Sequence, residues 1–185
     1  MKNKGLTLIE LLVATVMMSL VIAAIVVIFT ASIRGQIRNL ASQELSDQSS
    51  YVVEYISRAL RMAKKDSDGL CTGDASLNYI KTHSNNGIKF LNYRDECQEF
   101  YWATTTDTSK LVEEVGGGSA VDLTSDELEV VSFKIGPNDS WDDGDSLQPR
   151  VTMFFDIKSK ASGIKASQQP EIIIQATVSQ RNLDQ

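Results

Sequence analysis

Lys4-Gly5-Leu6-Thr7-Leu8-Ile9-Glu10-Leu11-Leu12-Val13-Ala14 opens the segment on which the rest of the chain depends. From Leu11 to Ile33 no residue is charged, a run of about 23 residues against the roughly 20 needed to cross a bilayer core. Its polar residues, Thr15, Ser19, Thr30 and Ser32, carry hydroxyls that can bond back to helix carbonyls, and neither Pro nor Gly interrupts it. The stretch reads as one membrane-spanning helix. A cleaved secretory signal fits poorly, because its apolar region is usually only about 7–15 residues and Thr30-Ala31-Ser32 is a poor cleavage site. Lys2, Lys4 and the amino terminus precede the run and Arg34 and Arg38 follow it, so flanking charge decides orientation only weakly.

Glu10 is the informative residue. A carboxylate at mid-helix in the membrane is disfavoured by roughly 2.5–3.5 kcal/mol, less near a helix end. No Lys, Arg or His lies within a turn of it on the C-terminal side. Two readings stay open: the acid sits in the headgroup region, or it awaits a cation from elsewhere.

Composition narrows the function. The 185 residues carry 18 Lys+Arg and 24 Asp+Glu, a formal charge of −6 and a pI near 4.8. Phosphate binding needs clustered cations, so bulk-charge recognition of nucleic acid is not expected. Two cysteines and one histidine cannot supply a four-ligand zinc site without carboxylates. His83 would have to carry any Ser-His-Asp chemistry alone, and it stands in the polar turn Thr82-His83-Ser84-Asn85. No enzymatic activity and no required cofactor are expected.

Beyond the membrane segment, Ile37, Leu40, Ala41, Leu45, Val52, Ile56, Ala59, Leu60 and Ala63 recur at helical spacing. The spacing predicts a continuation to about Lys64, stopped by Asp66-Ser67-Asp68-Gly69 with Gly69 as the residue after the cap. A helix from Leu6 to Lys64 would be roughly 90 Å long at 1.5 Å per residue. Strand-like runs follow at 77–82, 87–93, 98–104, 128–135, 150–158 and 171–180, with a weaker one at 111–115. By period two, Val151, Met153, Phe155 and Ile157 share a face, as do Ile172, Ile174, Ala176 and Val178; both faces are candidates for packing on the helix. The expected fold is α+β, a long N-terminal helix packed against a C-terminal antiparallel sheet. The polar stretch 159–169 is expected to be the most mobile loop.

The motif Lys4-Gly5-Leu6-Thr7-Leu8-Ile9-Glu10-Leu11-Leu12-Val13-Ala14 resembles the cleavage and methylation motif of type IV prepilins and type II secretion pseudopilins, over about the first 30 residues. The resemblance implies a pilin-like fold, cutting by a prepilin peptidase after Gly5, and N-methylation of Leu6, where the family more often has Phe. It implies that Glu10 recruits and registers subunits in a filament. It also implies other pilins or pseudopilins and an inner-membrane assembly platform as partners. The chain would be a single-pass protein of the cytoplasmic membrane, its C-terminal part outside the cytoplasm, that later enters an extracellular or periplasmic filament. The corresponding divisions are a leader at 1–5, a membrane segment at 6–33, an amphipathic continuation at 34–66 and a β-rich domain at 67–185. Helix positions 51–63 and the closing residues 175–183 resemble those of J-type minor pseudopilins and W-type minor pilins.

Elementary electrostatics agrees with this implication. Removal of Lys2 and Lys4 would take the charge from −6 to −8 and expose an α-amine at Leu6, with a reference pKa of about 8. A neighbouring subunit's amine could then pair with Glu10. Removing one partner of such a buried pair typically costs roughly 3–5 kcal/mol.

Three clusters remain. Arg58, Arg61, Lys64 and Lys65 are either a patch for an acidic partner or DNA, or cations favoured by a helix C-terminus. Asp139, Asp142, Asp143 and Asp145 are either a calcium-binding loop or a solvated acidic turn; Trp141 sits where a ligand would be wanted in an EF-hand. Cys71 and Cys97 are either a disulfide, compatible with an extracytoplasmic location, or two reduced thiols. The alternatives to a structural filament subunit are a competence-type pseudopilin assisting DNA uptake and a signal-anchored surface protein outside any filament.

Overall fold

The computed structural model describes residues 7–105, 109–137, 141 and 148–181. Helix α1 (Leu8–Arg61) runs unbroken for 54 residues, roughly 80 Å at 1.5 Å per residue. Thr7, in extended backbone, caps its start, the hydroxyl accepting the Glu10 N–H at 3.4 Å. Hydroxyls within the apolar half bond inward to the helix: Thr15 donates to the Leu12 carbonyl at 2.9 Å, Ser19 to Val16 at 2.8 Å, and Thr30 to Val26 and Val27 at 3.0 Å. The large apolar side chains from Leu8 to Phe29 are all exposed. This half of the helix has no partner within the described residues.

The second half is buried along one stripe: Ala41, Leu45, Ser49, Val52, Ile56 and Leu60. Their steps of three and four keep them on one face. Leu40, expected on that face, points outward and is 64% exposed, while Ser49 fills the gap left between Leu45 and Val52.

The helix ends at Arg61, three residues short of the expected Lys64, and Gly69 is not its terminating residue. Tertiary donors explain the early end. The Tyr79 hydroxyl donates to the Leu60 carbonyl at 2.7 Å, the Arg181 N–H to Arg61 at 2.8 Å, and the Gln180 side-chain amide to Ala63 at 2.9 Å. The last carbonyls are thereby satisfied without a glycine-terminated cap. Lys64 then leaves the helix axis to bond its N–H to Leu91 at 2.9 Å. Gly69, at φ +65°, instead belongs to a turn around Asp66.

Two antiparallel sheets replace the single one expected from the sequence. Strands β1 (Tyr79–Thr82), β2 (Gly87–Leu91), β3 (Cys97–Thr104), β4 (Ser109–Val115) and β5 (Val121–Asp122) form a meander in that order. Strands β6 (Leu128–Ile135), β7 (Arg150–Ser159) and β8 (Glu171–Ser179) form the other. A register shift between Val130 and Ser132 inserts a bulge in β6, so that Val130 and Phe133 both point inward despite their odd spacing. In β7 the inward face is Val151, Met153, Phe155 and Ile157, all buried, and across from it Ile172, Ile174 and Ala176 of β8 pack against the core.

Both sheets meet α1 in one core, in which Ile56, Leu60, Ile88, Phe90, Phe100, Leu111 and Phe133 are completely buried. Each such side chain contributes roughly 1.5–3 kcal/mol on removal from water. Trp141 is also core, only 3% exposed, its ring N–H donating to the Arg150 carbonyl at 2.6 Å. The connection after β7 is tied down: Ser159 N–H bonds to Pro170, and Lys160 N–H to Glu127 at 2.7 Å.

Candidate functional site: the amino-terminal helix and what holds it

Glu10 is the third residue of α1, one turn inside the Thr7 cap, and is exposed. Thr7-Leu8-Ile9-Glu10 matches the spacing of a capping box, and an acid in the first turn is favoured by the helix dipole by about 0.3–1 kcal/mol. That local stabilisation offsets only part of the cost of a carboxylate in an apolar layer. Gly5 and Leu6 lie outside the described residues, so the proposed partner of Glu10 is not placed. An exposed acid at the tip of a helix half whose apolar surface is entirely uncovered can do one thing chemically: accept a cation while that surface is buried against lipid or other helices.

A rigid bracket holds the other half of α1. The Tyr55 hydroxyl donates to the Glu113 carboxylate at 3.0 Å, and the Gln98 amide donates to the same carboxylate. Partial burial, then the Glu113 hydrogen bond and charge, push the Tyr55 pKa up to about 12. Tyr55 also meets the Phe100 ring edge-on, with centroids 6.1 Å apart. The bracket joins α1 to β3 and β4; sequence reading missed it because its members lie up to 58 residues apart.

The segment after the helix is held by Asp66 and a disulfide. Asp66 is 1% exposed, and its carboxylate accepts N–H bonds from Leu70, Cys71 and Thr72 and the Thr72 hydroxyl, at 2.7–3.1 Å. Burial pushes its pKa up, but the four donors outweigh burial and hold it below the ordinary aspartate value. Cys71 and Cys97 are disulfide-bonded, with Cα atoms 5.3 Å apart, which ties this loop to the start of β3.

The structure divides the basic cluster at the helix end. Arg58 pairs with Glu54 at 2.8 Å and Lys64 with Asp95 at 2.7 Å. His83 stacks on Tyr101 with centroids 4.3 Å apart, and its ring lies 3.1 Å from Glu99. Asp139, Asp142, Asp143 and Asp145 lie outside the described residues, and among the described residues no acidic or Cys/His cluster has metal-binding geometry.

A long helix, apolar all round in its first half and seated on antiparallel sheets in its second, defines a membrane-anchored protein of pilin-like architecture. Residues 1–30 match the family model for the prokaryotic N-terminal methylation motif. No curated protein and no solved structure matches the chain. The motif match supports a type IV pilin or pseudopilin, and the architecture agrees with it.

Proposed function

We propose that the chain is a minor pilin or pseudopilin: a prepilin peptidase cuts after Gly5, Leu6 is N-methylated, and the subunit then enters a filament through its apolar helix. The observation that carries this reading is Glu10 in a methylation-motif segment whose apolar side chains are all uncovered. The folded part stands outside the cytoplasm, in keeping with its disulfide. Within the filament the Glu10 carboxylate accepts the α-amine of a neighbouring subunit's Leu6, and this pairing sets the axial register. The assembly platform and the other pilins of the system are its partners. The competence-type alternative draws no support from the Arg58–Lys65 segment, where Arg58 and Lys64 are engaged by acids of the same chain.

Glu10→Ala tests the register role. Membrane insertion and cleavage should be unaffected, while recovery in sheared filaments, or co-purification with partner pilins, should fall at least about tenfold if a buried pair of roughly 3 kcal/mol is lost. Normal incorporation of the variant would remove Glu10 from the assembly mechanism.

A further inference from the structure

A recess of about 460 Å³ opens between α1 and the β7–β8 connection, lined by Arg34, Gly35, Arg38, Gly163, Lys165 and Gln168 among others. Arg34 and Arg38 are one turn apart and face the same side of the helix. Gly35 lies between them, and a Cβ built there would meet nothing within 4 Å. Lys165 comes from the opposite wall, where the Gln168 N–H bonds back to its carbonyl at 2.8 Å. Among the described residues none of these three cations forms an ion pair, and no acid lines the recess. Glu44, Asp126 and Glu127 line a second recess together with Lys160, farther along α1 from the apolar half.

Position identifies the ligand. Arg34 directly follows Ile33, the last residue of the uncharged run. At 1.5 Å per residue, Arg34 to Arg38 occupy roughly the first 6 Å beyond the hydrocarbon boundary, which is headgroup depth. Anionic lipid phosphates lie in that layer, and basic pockets beside membrane helices bind such headgroups. A DNA duplex would have to enter against the bilayer surface.

We propose that this recess binds the phosphate of an anionic phospholipid headgroup, with the two arginines on one wall and Lys165 on the other. The bound lipid fixes the depth and rotation of α1 and seats the folded domain on the membrane. The proposal rests on membrane anchoring and stands whether or not the subunit enters a filament.

The test uses the full chain in nanodiscs of phosphatidylcholine containing a minor fraction of phosphatidylglycerol, with native mass spectrometry reading the lipids retained on release. Phosphatidylglycerol should be retained above its bulk proportion. One cation at an anionic surface is worth about fivefold, so Arg38→Gln combined with Lys165→Gln should cut the enrichment at least about tenfold. Lys134→Gln, exposed on β6, should leave it unchanged. Gly35→Leu keeps every charge but fills the recess, and should also abolish the enrichment. Circular dichroism and melting confirm that each variant is folded. Three results would each overturn the proposal: no enrichment in the unaltered chain, full enrichment in Gly35→Leu, or displacement of the lipid by millimolar inorganic phosphate or a short DNA duplex.

Discussion

Asp66→Ala should destabilise the folded domain more than any surface change, and the reason can be worked from its contacts. The carboxylate accepts four hydrogen bonds at 2.7–3.1 Å, three of them from consecutive backbone N–H groups. Leu70 is 80% exposed, so its N–H can bond to water once the acid is gone. Cys71 and Thr72 are 7% and 4% exposed, and their N–H groups would be stranded. Each stranded buried donor costs about 1–3 kcal/mol, so a loss of about 3 kcal/mol is expected near neutral pH. The dependence on pH follows from the lowered pKa in the fold. A depressed carboxylate pKa contributes stability above the unfolded value of about 3.9, and this contribution is lost as pH falls through the folded value. The gap between Asp66→Ala and the unaltered protein should therefore narrow on acidification below about pH 4. Urea unfolding of residues 36–185 is a suitable assay, because the buried face of α1 begins only at Ala41. A loss below about 1 kcal/mol near neutrality would refute the reasoning, as would a gap unchanged down to strongly acid pH.

Removing the disulfide by Cys71→Ser with Cys97→Ser should cost roughly 3–4 kcal/mol in the chain-entropy model for a 26-residue separation, read as a lower urea midpoint. Tyr55, with its pKa raised to about 12, should stay protonated in the fold while unfolded tyrosines ionise near 10, so stability should decline between those values. Ultraviolet titration of Glu113→Gln should show Tyr55 ionising earlier; an unchanged Tyr55 titration would show that Glu113 does not govern it.

What the sequence showed depended on periodicity. The strand-like run at 128–135 has the same limits as the observed β6, where a bulge breaks an otherwise two-residue alternation. The inward faces of β7 and β8 follow from two-residue alternation. Alternation assigns a face but not a neighbour, so the division into two sheets was not legible, and the two residues of β5 were too short to register a period. At the helix end, local capping chemistry suggested Gly69, whereas donors from Tyr79, Gln180 and Arg181 terminate α1 earlier. Those donors are up to 120 residues away in sequence, beyond the reach of any local pattern. Ser49 shows the same limit, since a polar residue on the buried stripe gives no apolar signal. The amino-terminal motif was legible because its information is entirely local: a glycine, a fixed spacing to an acid, and an uninterrupted apolar run.

The central claim is that the chain works with a new amino terminus at Leu6, whose cation meets Glu10 of a neighbouring subunit. Intact-mass spectrometry of the protein isolated from its native membrane tests it most directly. The result consistent with the claim is a chain beginning at Leu6 and one methyl group heavier than its sequence. A chain that retains Lys2 and Lys4 in cells with active prepilin peptidase would contradict it.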